Sequence, residues 1–303
     1  MSAADTTGHP AAPSGAGRPQ SRPLIGVTGA TGKVGGMVAQ SLHRDGQRLR
    51  LLVRDRGRAP QWADDVAVMT YGDRRACLDA LEGVDLLLMV SAAESADRLS
   101  QHRTFIAAAA AAGVRHVVYT SFLGASPEAT FTLSRTHWHT EQALRDSGMA
   151  FTFLRDSFYT DFLAELALSG VIAGPGGQGR VGAVTRADVA ASLSAVLTDL
   201  AAGRTQHTGA TYNLTGPQAL SLADVARTTA EVTGRPCVYR EETVEEAYAA
   251  RAHYGAPHWQ VEAWVTTYTA IAAGELELLT DDVERLTGRA PMSLADLLRS
   301  LEA

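Results

Sequence analysis

Six short apolar runs punctuate the first half of the chain: 24–27 (LIGV), 49–54 (LRLLVR), 66–71 (VAVMTY), 84–91 (VDLLLMVS), 114–121 (VRHVVYTS) and 150–154 (AFTFL). Each has the length of a strand, and they are near-continuous rather than alternating with polar residues, the mark of strands buried on both faces. Between them apolar residues return at helical spacing. Val34, Met37, Val38 and Leu42 share one face of a first helix. Further helices are expected over 77–81, 97–112 (with Gly113 as the C-terminal cap) and 134–147. Strands alternating with helices specify an α/β fold: a doubly wound, Rossmann-like parallel sheet with helices on both faces. Its ligands belong beyond the C-terminal ends of the strands.

The pattern changes after residue 160. Helices are expected over 161–169, from a Thr185 or Asp188 cap, from Ser221, and over 239–254, 259–273 and 293–301, with one short strand at 211–214. The glycine-rich stretch 170–180 reads as a flexible loop. Three parts follow: a disordered tail (1–22), a dinucleotide-binding domain (23–160), and a smaller, mostly helical C-terminal lobe (161–303) that forms most of the substrate side and returns some strands to the sheet.

Composition narrows the class. Of 303 residues, 46% are hydrophobic and 20% charged, ordinary for a soluble domain. The net charge of −6 argues against nucleic acid, whose phosphates call for concentrated Lys and Arg. Residues 1–22, rich in Ala, Gly, Pro, Ser and Thr, have no apolar core of a secretory signal. No apolar run is long enough to span a membrane. Cys77 and Cys237 have neither metal-ligand spacing nor a disulfide framework, so no metal is expected and a cytoplasmic setting fits. The oligomeric state stays open.

The stretch 23–42, PLIGVTGATGKVGGMVAQSL, carries the clearest chemistry. A strand runs into the array Gly29, Gly32, Gly35, and a helix follows, the context this phosphate-binding motif requires. Gly29 permits a tight turn, Gly32 admits a pyrophosphate to the backbone, and Gly35 lets helix and strand approach. The turn as a whole, with Ala30, Thr31, Lys33 and Val34, presents N–H groups and a helix N-terminus to phosphate. At the end of the second strand an acid would bind ribose hydroxyls and an arginine a 2′-phosphate. Arg54 stands there, followed by Arg56 and Arg58, and Lys33, the only lysine among 27 basic Lys and Arg residues, can approach the same phosphate. NADPH is therefore favoured over NADH, with Asp55 as the dissenting residue. Gly72 and Asp73 at the third strand's end, Ser91 and Ala92 at the fourth's, and Thr120 and Ser121 at the fifth's complete the expected cofactor contacts. Asp73 can equally serve a turn, and the hydroxyls can equally cap the following segments.

These residues bear a family resemblance. TGATGKVG, LVRD and QHRTFIAAAAAAGVRHVVYTS resemble the NmrA-like atypical short-chain dehydrogenases/reductases, and HWHTEQALRDSG and FTFLRDSFY resemble its quinone oxidoreductase 2 type. The similarity runs through TRADVA and YNLTGPQALSLADVA. It implies a nicotinamide cofactor, either quinone reduction or, in members that have lost catalysis, sensing of the NADPH/NADP ratio. The chain departs from the conventional Tyr-x-x-x-Lys pair, having Leu133 and His137 at those positions. His137 can then hydrogen-bond the nicotinamide ribose or donate a proton, oriented by Glu141, or the two can be a helix-surface pair. The end of the sixth strand is the other candidate site, where Arg155, Asp156, Phe158 and Tyr159 are expected beside the nicotinamide. The quinone reductases carry asparagine where this chain has Asp156, Tyr159 matches the family tyrosine but can equally pack the lobe, and Arg155 is expected to tie strand to lobe. His137, Tyr159 and Asp156 are the candidate catalytic residues. Phe158, Tyr159, Tyr254, Trp259 and Trp264 suggest an aromatic pocket for a ring substrate, with core packing as the alternative.

The expected activity is NADPH-dependent hydride transfer to a flat, conjugated acceptor such as a quinone or enone, which needs little acid catalysis because charge spreads through the conjugated system. The competing readings are a catalytically silent NADP(H) sensor and a reductase or isomerase that tailors a natural product.

Overall fold

A computed structural model describes residues 22–302. The tail reading of 1–22 falls, apart from Arg22, outside the described residues. Strand β1 (Ile25–Thr28) leads into α1 (Lys33–Arg44), and β2 (Leu49–Val53), β3 (Val66–Val68), α2 (Arg74–Leu81), β4 (Leu86–Met89), α3 (Arg98–Ala111), β5 (His116–Phe122), α4 (Thr132–Arg145) and β6 (Ala150–Asp156) follow. The last part contributes α5 (Thr160–Leu168), β7 (Val171–Gly174), β8 (Arg180–Val181), α6 (Arg186–Ala201) and β9 (Thr211–Leu214). Then come β10 (Leu220–Ser221), α7 (Leu222–Thr233), β11 (Val238–Glu241), α8 (Val244–Arg251), α9 (His258–Ala272), α10 (Asp282–Thr287) and α11 (Leu294–Glu302).

The main sheet has seven strands in the order β3-β2-β1-β4-β5-β6-β9, and every pairing is parallel. The strand order reverses between β1 and β4, so the crevice beyond that pair is the expected ligand site. Alternate residues of each strand feed opposite cores, which is why the strands are apolar throughout. Ile25, Val27, Leu51, Val53, Leu86 and Leu88 pack with Val34, Val38 and Leu42 of α1 and Leu193 and Val196 of α6. Leu52, Leu87, Met89, Tyr119 and Phe153 pack on the other face with Leu81 of α2, Phe105 and Ile106 of α3 and Leu144 of α4. A third cluster lies in the last part of the chain, where Leu163, Ile172, Val181, Leu222, Val225, Tyr268, Ile271, Leu294 and Leu298 meet Phe122 and Phe131. α6 and β9, although late in sequence, belong to the layers of the main sheet.

Two expectations are corrected here. The stretch 170–180 is not a flexible loop. β7 occupies its first part and pairs in parallel with β11, from Val171↔Val238 to Glu241↔Gly174. Its glycines serve contact rather than mobility: a Cβ on Gly174 would lie 2.5 Å from the Tyr268 ring, and one on Gly179 would lie 2.0 Å from the Ile271 carbonyl oxygen. For the same reason 239–254 is not helical throughout. It starts inside β11, and the helix opens only at a Thr243 capping box.

Candidate functional site

A cleft of about 750 Å³ opens at the C-terminal ends of the strands, at the reversal point. One wall is the glycine turn. Gly29 adopts φ +63°, a left-handed conformation that a side chain disfavours. A Cβ on Gly35 would come 2.4 Å from the Gly29 carbonyl oxygen, so the start of α1 sits directly on the turn. Gly32 caps α1 without a side chain, leaving the helix N-terminus clear of one. This is a cradle a phosphate can enter.

The cleft is lined by Gly29, Thr31, Gly32, Lys33, Val34, Gly35, Arg54, Gly72, Ser91, Ala92 and Thr120, all named by the sequence, and by Tyr159. Arg58 joins Arg54 at the end of β2, whereas Arg56 turns away and bonds the Val66 carbonyl. Asp55 does not compete for ribose: its carboxylate caps the short 3-10 turn by accepting from Gly57 N–H at 2.9 Å. The third and fourth strand ends are cross-tied. Tyr71, which sequence reasoning missed, places its hydroxyl 2.6 Å from the Val90 carbonyl oxygen and 2.7 Å from Thr28 Oγ1. Thr120 Oγ1 accepts from Ser91 N–H. Arg186, also missed, enters from the first turn of α6, its guanidinium 5.1 Å from the centre of the Tyr159 ring. Its sequence signals were its place just after the Thr185 cap and within the TRADVA stretch.

Several expected contacts lie elsewhere. Ala30 buries its side chain in the core beneath the turn, so that only its backbone is left to serve the cradle. Asp73 is the N-cap of α2 and accepts from Ala76 N–H, the turn role weighed against adenine binding. Ser121 is fully buried and donates to Glu141 Oε1 at 2.6 Å. Lys33 lines the cleft, but its ammonium does not turn to Arg54. It pairs with Glu165 of α5 at 3.1 Å, and Arg186 shares that carboxylate oxygen.

His137 needs the largest correction. It is buried, and both ring nitrogens are taken: Nε2 is 2.9 Å from Arg98 Nη2 and Nδ1 is 2.9 Å from the Tyr119 hydroxyl. A guanidinium can only donate, so Nε2 accepts and the proton sits on Nδ1. Burial, reinforced by the Arg98 charge, holds its pKa well below the ordinary histidine range. A neutral, fully bonded imidazole is neither a general acid nor a cleft-lining ligand. Glu141 does not orient it either. That buried carboxylate takes Ser121 Oγ and both Arg155 and Arg145, so Arg155 ties β6 to α4 rather than to the lobe.

Asp156 and Tyr159 do meet. The Tyr159 hydroxyl donates to Asp156 Oδ2 at 2.7 Å. Burial pushes the Asp156 carboxyl up to about 7, against the opposing pull of this bond and of Arg98. Burial likewise holds the Tyr159 phenol well above its usual range. The aromatic pocket is not formed as expected. Phe158 packs on Phe122 and Phe131, Tyr254 is exposed against Trp264, and of the five residues only Tyr159 lines the cleft. Among the described residues no helix is long and apolar enough to cross a membrane.

The family model described as NAD(P)H-binding matches residues 29–200, which span the glycine turn, every cleft-lining residue except Thr28, and α6 to Leu200. Quinone oxidoreductase 2 of Escherichia coli is 32% identical over 92% of this chain and 98% of its own. NAD(P)H azoreductase of Xenophilus azovorans is 30% identical over 91% and 97%. The structure of the NADPH-dependent quinone oxidoreductase QOR2 from Escherichia coli, complexed with NADPH, superposes with a TM-score of 0.84 at 30% identity, covering 92% of this chain and all of that one. With a glycine cradle at the sheet's reversal point and this similarity along nearly its whole length, the chain belongs to the NAD(P)H-binding family, among the relatives of quinone oxidoreductase 2.

Proposed function

We propose that the protein is an NADPH-dependent oxidoreductase that reduces a flat, conjugated acceptor such as a quinone or enone. The observation that carries the cofactor preference is the end of β2. Two arginines, Arg54 and Arg58, line the cleft there, while the one nearby acid, Asp55, is committed to its own turn. Paired guanidinium forks suit a phosphate monoester on the adenine ribose, where NADH offers only hydroxyls. The glycine turn and the α1 N-terminus would hold the pyrophosphate.

A nicotinamide cofactor held there would supply the hydride. The chain's own contribution is position and proton management. Tyr159 presents its phenol to the cleft, with Asp156 behind it. While Asp156 is ionised it captures the phenolic hydrogen. Once protonated, it can hydrogen-bond the phenol oxygen instead and free that O–H for the reduced acceptor's oxygen. A proton thus reaches the acceptor through Tyr159 from Asp156, and no lysine is required. This also gives the aspartate at position 156 a task that asparagine cannot perform.

The test is direct. Purified protein is mixed with NADPH and a panel of quinones and enones, and loss of the reduced-nicotinamide absorbance is followed. Turnover is expected on at least one conjugated acceptor. Tight NADPH binding without turnover on any of them would instead make the protein an NADP(H) sensor.

A further inference from the structure

Beneath the cleft lies a polar cluster that the proposed chemistry does not use. Arg98, the first residue of α3, is 4% exposed, yet among the described residues no carboxylate stands within ion-pairing distance of it. A buried cation without a carboxylate in direct contact is costly, and such a group persists where hydrogen-bond acceptors fix it. Its Nε donates to the Ala92 carbonyl oxygen at 2.9 Å, Nη2 donates to His137 Nε2, and Nη1 donates to Thr136 Oγ1. One turn along α3, the fully buried His102 takes the other side of the same residue: Ala92 N–H donates to His102 Nε2 at 2.9 Å. With Nε2 accepting, His102 Nδ1 carries the proton and donates to Thr140 Oγ1 at 2.8 Å. Burial depresses His102 to about 3, so it stays a neutral acceptor across the working range.

We infer that Arg98 and His102 are positioning residues for the cofactor: they clamp the carbonyl and the N–H of Ala92, the cleft-lining residue just past β4, and thereby set the cofactor-facing course of the backbone at 91–95. Three facts converge on this role. Ala92 has both backbone groups held by buried side chains. Those side chains are braced on α4, Arg98 by Thr136 and His137 and His102 by Thr140. The preceding residue, Ser91, is held independently through Thr120 Oγ1. Residues 91–95 all line the cleft. An ordinary loop would leave these peptides to water. Here the Ser91 N–H and both backbone groups of Ala92 are held by side chains of the protein itself, which lowers the ordering cost of binding. His137, which cannot serve as an acid, has its place as the acceptor that holds the Arg98 guanidinium.

The inference rests on the NADPH reading of the cleft, and the experiment separates the two. NADPH affinity, kcat, the KM of each substrate and Tm are measured for the wild type, Arg98→Met, Arg98→Lys, His102→Leu and His102→Gln. Glutamine offers a side-chain carbonyl to Ala92 N–H, and leucine does not. The expected result is an NADPH Kd and KM raised roughly tenfold or more in Arg98→Met and His102→Leu, the scale of a buried group left unpaired. His102→Gln should regain most of that loss, and the acceptor KM should move little. Lower Tm with unchanged NADPH affinity in both His102 variants would overturn the inference and leave a purely structural cluster. If Arg98→Met fails to fold, the His102 pair alone decides. Absence of NADPH binding by the wild type would instead defeat the reading of the cleft itself.

Discussion

The Tyr159 hydroxyl donates a 2.7 Å hydrogen bond to Asp156 Oδ2, and the two side chains divide the labour of the proposed proton path: Tyr159 lines the cleft and the Asp156 carboxyl is buried next to it. Because burial raises Asp156 to about 7, the pair changes state within the working pH range. The protonated carboxyl is the competent form, so the rate with a quinone should fall as pH rises through about 7. Asp156→Asn should flatten that limb, and Tyr159→Phe should lower turnover at every pH by roughly tenfold to a thousandfold, since positioned acid catalysis contributes about 10²–10⁴ and conjugated acceptors need the lower part of it. A pH–rate profile that is the same in Asp156→Asn and wild type would remove the carboxyl from the path.

The same residue makes a prediction about stability. Its folded pKa lies above that of an unfolded aspartate, about 3.9. The native state therefore holds the proton more tightly between those values, and the stability it confers is present below about 4 and lost as pH rises to about 7. Asp156→Asn should raise Tm relative to wild type more at pH 8 than at pH 4. Equal shifts at both would show that the carboxyl is not held protonated.

Buried histidines give the opposite slope. Burial depresses His102 to about 3 and His116 to about 4, with His207 adding to the effect on His116. An unfolded histidine titrates near 6.5. Stability from these neutral rings is complete above that value and lost as pH falls toward 4, at up to about 1.4 kcal/mol per pH unit for each ring. Denaturant titrations from pH 7 to 4 should show this decline, and His116→Asn should make it shallower.

Cofactor selectivity should sit in the arginines and not in the lysine. Arg54→Ala and Arg58→Ala should weaken NADPH by about ten- to a hundredfold each, the value of a charge-assisted bond, and leave NADH nearly unchanged. Lys33→Ala should not alter the ratio of the two affinities, because its ammonium pairs with Glu165 instead. That pair is more than half exposed on both sides, so its loss should scarcely change Tm. Equilibrium titration with both cofactors checks all three variants.

The glycine turn offers a steric test. Gly35→Ala would bring a methyl group within 2.4 Å of the Gly29 carbonyl oxygen. Forcing that contact apart should cost about 1–3 kcal/mol in folding and open the phosphate cradle. Tm and NADPH affinity should fall together. A variant with full affinity would show that the turn is not the pyrophosphate site.

The layered sheet and its phosphate turn are readable from the order of residues alone. Both depend on short-range order: near-continuous strand runs, helical spacing of Val34, Val38 and Leu42, and glycines at fixed intervals between a strand and a helix. Arg54 was legible for the same reason, since its place at a strand end follows from local pattern. Contacts that depend on which distant segments meet were set by the fold as a whole. It took Ser121 and His137 out of the cleft, because α4 and α3 bring Glu141 and Arg98 to them across 20 and 39 residues of chain. It turned Lys33 toward Glu165, 132 residues away. It made a paired strand of the glycine-rich stretch at 171–174, whose partner lies at 238–241. A residue's type tells what bonds it can form; burial and the arrival of a partner from elsewhere in the chain select which of them it does form, and neither is written in local spacing.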